Sequence, residues 1–145
     1  MDAKEYLNQV KKLDLQIKNK LIEKQQWKDI ALGITSNTEG ERVQSSGSQS
    51  KMADAIVKCV DMEAEIDCLV DRLIDTKKEV IQTIEQLTSP LQYDVLHLHY
   101  IQFMTLQAIA DKYGMSYDWA KQAHKRAVKN VQRIRERNDN VNSSL

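Results

Sequence analysis

Residues capable of chemistry are spread along this 145-residue chain, and most of their groupings fail on geometry. His97 and His99 form an H-x-H pair in a helical stretch, where two positions differ by about 200°, so the rings diverge from any shared metal. Cys59 and Cys68 are separated by about 900° of helical rotation, which puts the thiols on opposite faces. Neither belongs to a C-x-x-C motif, so two reduced structural thiols are expected. The acids from Asp61 to Asp75 have no nucleophile beside them and read as a solvated helix face. Gly33, Gly40, Gly47 and Gly114 are too far apart to build a phosphate loop, which excludes an ATPase of that type. No catalytic, metal or cofactor set is expected, and the chain reads as a binding protein, not an enzyme.

One cluster survives these tests. From Thr105 to Arg137 there are eight bases, Lys112, Lys121, Lys125, Arg126, Lys129, Arg133, Arg135 and Arg137, against three acids, Asp111, Asp118 and Glu136. The whole chain is neutral, with 21 bases and 21 acids, so this local excess is offset elsewhere, chiefly in 51–89, where nine acids face five bases. Charge segregated by segment in this way suits a helix that must offset phosphate charge.

The elements that must position this cluster are helical. One Pro, four Gly and 6% aromatics describe a chain poor in turns and strand formers. From Asp2 to Leu32 no Gly or Pro occurs, and Tyr6, Val10, Leu13, Ile17, Trp27 and Ala31 follow a heptad seam, widened by Leu7 and Leu21. A second seam runs Met52, Ile56, Cys59, Glu63, Ile66, Val70, Leu73, Lys77, Val80, Ile84, Leu87 in alternating steps of four and three. Two helices of about 31 and 36 residues would be roughly 45 to 55 Å long, which favours a coiled-coil-like hairpin or an oligomer. Between them, Gly33 to Ser50 reads as a flexible loop.

A third segment opens at Ser89-Pro90, with Ser89 as N-cap, Pro90 at the first helical position and Gln92 completing a capping box. Leu91, Val95, Leu98 and Ile101 give that helix one buried face. Thr105 can cap a helix over Leu106 to Tyr113, Gly114 fits a left-handed stop, and Ser116 can cap a last helix running toward Arg137. Two short helices joined by Tyr113-Gly114-Met115-Ser116 have the punctuation of a helix-turn-helix. Ile109, Ala110, Tyr113, Met115, Ala120 and Ala123 are expected at its inner surface, with Trp119 or Val128 filling the space that the alanines leave.

The expected fold is therefore all-α: a helical hairpin over 1–88 with a loop at 33–50, a helix-turn-helix domain over 89–137 and a disordered tail over 138–145. The N-terminus lacks the apolar core of a signal peptide and no apolar run reaches the ~18 residues that span a bilayer, so a cytoplasmic protein with no membrane partner is expected.

Residues 90–131 resemble region 4 of bacterial sigma factors. The likeness is carried by a Leu-rich helix ending His99-Tyr100-Ile101, by T-L-Q-A-I-A-D-K-Y-G-M-S over Thr105 to Ser116, and by K-x-x-x-x-R-A over Lys121 to Ala127. The whole chain, including R-V-Q-S-S-G-S at Arg42 to Ser48, is similar to small phage and prophage proteins related in outline to autolysin-regulatory-protein-type late transcription regulators. The resemblance implies a regulator that binds double-stranded promoter DNA, with RNA polymerase and further copies of itself as partners. By position it implies a DNA-reading helix from Ser116 to Asn130, with Ser116, Tyr117 and Asp118 at the phosphate backbone and Lys121, Gln122, Lys125 and Arg126 toward the groove. Gln122 would bond adenine, Lys121 guanine or phosphate, and Lys125, Lys129 and Arg133 phosphates. His124 would contact DNA or stand exposed. A phage small terminase subunit and a polymerase-binding adaptor without sequence-specific DNA contact are the competing readings.

Overall fold

A computed structural model describes residues 1–33 and 46–144. The protein is all-helical among these residues. It comprises α1 (Ala3–Ala31), α2 (Ser46–Ile84), α3 (Pro90–Leu96), a π-helical turn (His97–Ile101), α4 (Leu106–Tyr113) and α5 (Tyr117–Ser143). Two compact units divide the chain, one of residues 1–12 with 73–145 and one of residues 13–72. This division does not follow a boundary at residue 88, because both ends of the expected hairpin contribute to the core that carries the C-terminal helices.

In the first unit, α1 starts with a reciprocal capping box: Asp2 Oδ1 accepts from the Glu5 amide at 2.8 Å, and the Asp2 amide donates to Glu5 Oε2 at 3.2 Å. Its first turns bury Ala3, Tyr6, Leu7 and Val10 against Val80 and Ile84 of α2, Leu96, Tyr100, Ile101, and Ala127 and Val131 of α5. The buried Tyr6 hydroxyl lies 2.9 Å from Thr83 Oγ1, whose own proton goes to the Glu79 carbonyl at 3.0 Å, so Tyr6 is the donor. A smaller core of Val95, Leu98, Ile109 and Ala123, flanked by Met104 and Leu106, lies beneath the helix-turn-helix.

In the second unit, α1 and α2 run antiparallel. Lys20 Nζ meets Glu65 at 3.0 Å, Lys24 Nζ meets Glu63 at 3.7 Å, and Cys59 Sγ approaches the Lys24 carbonyl at 3.8 Å. Leu13 and Ile17 of α1 are buried here, as expected. On α2 the buried line is Ala55, Met62 and Ile66, with Cys59 and Leu69 half-buried. The expected seam is met at Ile66 and in part at Cys59 and Val70, but Met52, Ile56 and Glu63 lie in solvent while Ala55 and Met62 are buried, and Trp27 of α1 is also exposed. Cys59 and Cys68 are both free thiols.

Several boundaries also differ. Helix α2 begins at Ser46, not Met52, and ends at Ile84, before the expected Leu87. The rest of the expected loop over 33–50, from 34 to 45, lies outside the described residues; Gly33 itself has φ 72° and its amide bonds the Ile30 carbonyl at 3.1 Å, closing α1. Helix α5 continues to Ser143, so residues expected in a disordered tail over 138–145 are helical as far as 143.

Candidate nucleic-acid interface

The helix-turn-helix is built from capping residues that satisfy backbone groups locally. Thr105 accepts from the Ala108 amide at 3.1 Å and starts α4. Gly114, with φ 65° and ψ 30°, ends it in the left-handed conformation that glycine adopts without a Cβ penalty. The Met115 amide then reaches back to the Ala110 carbonyl at 2.9 Å. Ser116 turns the chain extended and its Oγ accepts from the Trp119 amide at 3.1 Å, opening α5 after a three-residue turn.

Small residues make the helix crossing close. Ile109, Ala110 and Ala120 are fully buried and Ala123 nearly so. Met115, expected at the same surface, is instead exposed in the turn after Gly114, and Tyr113, at the last position of α4, is partly exposed while its ring packs on Trp119. Tyr113 donates to Asp94 Oδ2 of α3, and this bond pushes its phenol up to about 12. Its ring packs on half-buried Trp119 at 5.5 Å between centroids. Of the two residues expected to fill the space beside the alanines, Trp119 packs on Tyr113 of α4, whereas Val128 packs on the larger core.

Buried Ala120, Ala123, Ala127, Val131 and Ile134 form one row along α5. At about 100° per residue, Asp118, Lys121, Gln122, Lys125 and Lys129 fall on the opposite side, with Arg126 and Arg133 on its flank. All nine residues singled out in the sequence, Ser116, Tyr117, Asp118, Lys121, Gln122, Lys125, Arg126, Lys129 and Arg133, are solvent-exposed. Ser116 Oγ is engaged as the helix cap, and Lys121 Nζ lies 5.7 Å from the centroid of the Tyr117 ring. Asn130 ties the basic face to α3 by donating to Gln92 Oε1 at 2.7 Å, and Arg133 donates to Asn130 Oδ1 at 3.3 Å. The last two arginines serve the fold: Arg135 stacks over Tyr6 at 4.3 Å and Arg137 donates to Gln86 Oε1 at 3.4 Å.

His124 stands apart from this face. Its Nε2 shares a hydrogen bond with the Tyr100 hydroxyl at 2.6 Å, its ring stacks on Tyr100 and lies edge-on to His99 at 5.1 Å. Burial, aided by His99 and Lys4, lowers its pKa to about 4, so the ring is neutral at pH 7, and burial pushes the Tyr100 phenol up to about 12. It neither faces outward beside Lys125 nor stands exposed. The only sequence signal for this was its position two residues from the groove-facing row, on the side of the alanines. His99 donates from Nδ1 to the Met104 carbonyl at 2.7 Å, while His97 Nδ1 accepts from Gln102 at 3.0 Å, so the two histidines serve separate ends of the π turn.

Fold and site together define an all-α protein with a tightly turned helix pair and a basic outer helix face. The chain belongs to the family described as Protein of unknown function (DUF1492), whose model matches residues 34–132. No curated protein and no solved structure matches it.

Proposed function

We propose that this protein is a DNA-binding transcriptional regulator of phage or prophage genes, acting in the bacterial cytoplasm through a sigma-region-4-like helix-turn-helix. The observation that carries the reading is the outer face of α5, where Lys121, Gln122, Lys125 and Lys129 stand exposed opposite the buried alanine row. A helix with a close-packed inner surface and a basic outer one can lie in a major groove, offsetting phosphates with Lys and Arg while an amide side chain meets base edges. The T-L-Q-A-I-A-D-K-Y-G-M-S stretch supports the comparison with sigma region 4, and RNA polymerase is the protein partner this comparison suggests. The chain itself performs no chemistry on the DNA.

The test is a binding selection on sheared genomic DNA of the source at moderate salt, comparing the wild type with a Lys121→Ala, Gln122→Ala, Arg126→Ala variant. Enrichment of a discrete intergenic fragment, lost in the variant, is expected. Retention without preference would instead favour a packaging role of the small-terminase kind, and no retention would favour a polymerase-binding adaptor.

A further inference from the structure

Among the described residues of the 13–72 unit, several large apolar side chains of α1 and α2 stand exposed. Met52, Ile56 and Val60 are 36%, 54% and 61% exposed, and Leu21 and Leu32 of α1 are 49% and 60% exposed. Measured from the buried line of each helix, these five residues lie roughly 60 to 140° round, all to the same side of the antiparallel pair. The other side is a groove lined by polar Gln16, Asn19, Lys20, Glu23 and Glu65 together with Ala64, Cys68 and Leu69. One side of this helix pair therefore carries the polar groove, and the other carries a strip of these five apolar side chains, with Lys18 of α1 and Glu63 and Asp67 of α2 beside them.

We propose that this strip is the contact surface for a second copy of the chain, with α1 of each copy lying over α2 of the other in a four-helix arrangement. The proposal goes beyond the DNA-binding reading and does not depend on it. Charge selects this partner and this arrangement. Residues 13–31 carry four lysines and three acids, whereas 52–72 carry six acids and two bases. Within one copy the lysines of α1 already meet the acids of α2, at Lys20–Glu65 and Lys24–Glu63. A two-fold axis parallel to the helices repeats that match between copies: in the register set by Lys20–Glu65 and Lys24–Glu63 it brings Lys18, which pairs with Asp14 on its own helix, level with Asp67 of the second copy, and Leu32 near the level of its Ile56. A two-fold axis across the helices would instead stack two acidic α2 segments on each other, which like charge opposes. The face is about 30 Å long and 20 Å wide. That is the order of area that each partner contributes to a standard-size interface. The contact is isologous, so it closes at two copies.

Sedimentation equilibrium of the full chain tests this. The wild type is expected at twice its 16.7 kDa. Ile56→Glu with Val60→Glu should weaken the dimer by about 100-fold or more, since both charges would be buried without partners. Both side chains are exposed within one copy, so helicity by circular dichroism should hold. Val57→Glu, at an equally exposed site on the side of α2 turned away from the strip, should leave the mass unchanged. Lys18→Glu should weaken association and Asp67→Lys should restore it in the double variant. A wild type that stays monomeric at high micromolar concentration overturns the proposal and leaves the strip to a different protein. So does a Val57→Glu effect equal to that of the Ile56/Val60 pair, or a dimer indifferent to that pair.

Discussion

The Tyr100 hydroxyl and His124 Nε2 lie 2.6 Å apart, fastening the π turn to the underside of α5. The imidazole in this bond is neutral, because burial, with the His99 ring and Lys4, opposes its protonation. The basic face of α5 is thereby held by a histidine on its inner side.

That relationship makes stability depend on pH with a definite sign. The His124 pKa falls from its ordinary value near 6.5 to about 4 in the folded protein, so between these values the unfolded chain binds a proton that the folded one refuses. Stability is at its full level above about pH 6.5, declines toward pH 4, and levels off below that for this group. Urea unfolding at pH 7 and pH 5 should show the decline in the wild type and a smaller one in His124→Phe. Equal declines in both proteins would mean that His124 titrates normally.

Gly114 is held at φ 65°, and a Cβ there would meet no heavy atom within 4 Å. The penalty for a side chain is therefore conformational and not steric. Gly114→Ala should cost about 1 to 2 kcal/mol, and Gly114→Asn less, because Asn visits the left-handed region more readily. Thermal melts of the three proteins check the order.

Leu7 and Ile109 are fully buried in different clusters, one in the larger core and one beneath the helix-turn-helix. Truncating either to Ala should cost about 2 to 5 kcal/mol, with the two effects nearly additive. Lys112→Ala, on the exposed side of α4, should stay within about 0.5 kcal/mol. Denaturant midpoints distinguish these outcomes.

If Gln122 reads a base, Gln122→Ala should relax preference at one position of the selected site at a cost of about 1 to 3 kcal/mol. Lys129→Ala should weaken binding to all sequences alike and lower the salt slope by about 1. Titrations against selected and scrambled duplexes at several salt concentrations measure both. Equal, sequence-blind effects of the two substitutions would remove Gln122 from base contact.

The all-helical fold and the local punctuation of the C-terminal segment were legible in the sequence because they rest on short-range rules. Ser89, Thr105 and Ser116 each cap the helix read from them, and Gly114 takes the left-handed stop. The exposure of the α5 row followed from periodicity, since Ala120 and Ala123 mark the inner side. Less legible was everything decided by a neighbour. Heptad spacing on α2 fits two lines that share Cys59 and Ile66, one running through Met52, Ile56 and Glu63 and the other through Ala55 and Met62, and only the packing of α1 selects the second. The location of His124 depends on the π turn 24 residues earlier in the chain, for which no sequence rule was available. Met115 reads as an inner residue by spacing, but that spacing assumes a helix continuing through Gly114.

The π turn has a consequence for what this stretch tolerates. Its closing bond runs from the Gln102 amide to the His97 carbonyl, enclosing one residue more than an α-helical turn does. Phe103 follows with φ 61°, a conformation that a bulky side chain adopts only under constraint. The number of residues between Leu96 and Thr105 therefore matters more to this geometry than their identity. Losing one would let the turn rewind as ordinary α-helix and carry the Tyr100 hydroxyl about 100° around the axis. Drift in this segment should accordingly proceed by exchange of side chains, and a single deletion should cost more than several exchanges together.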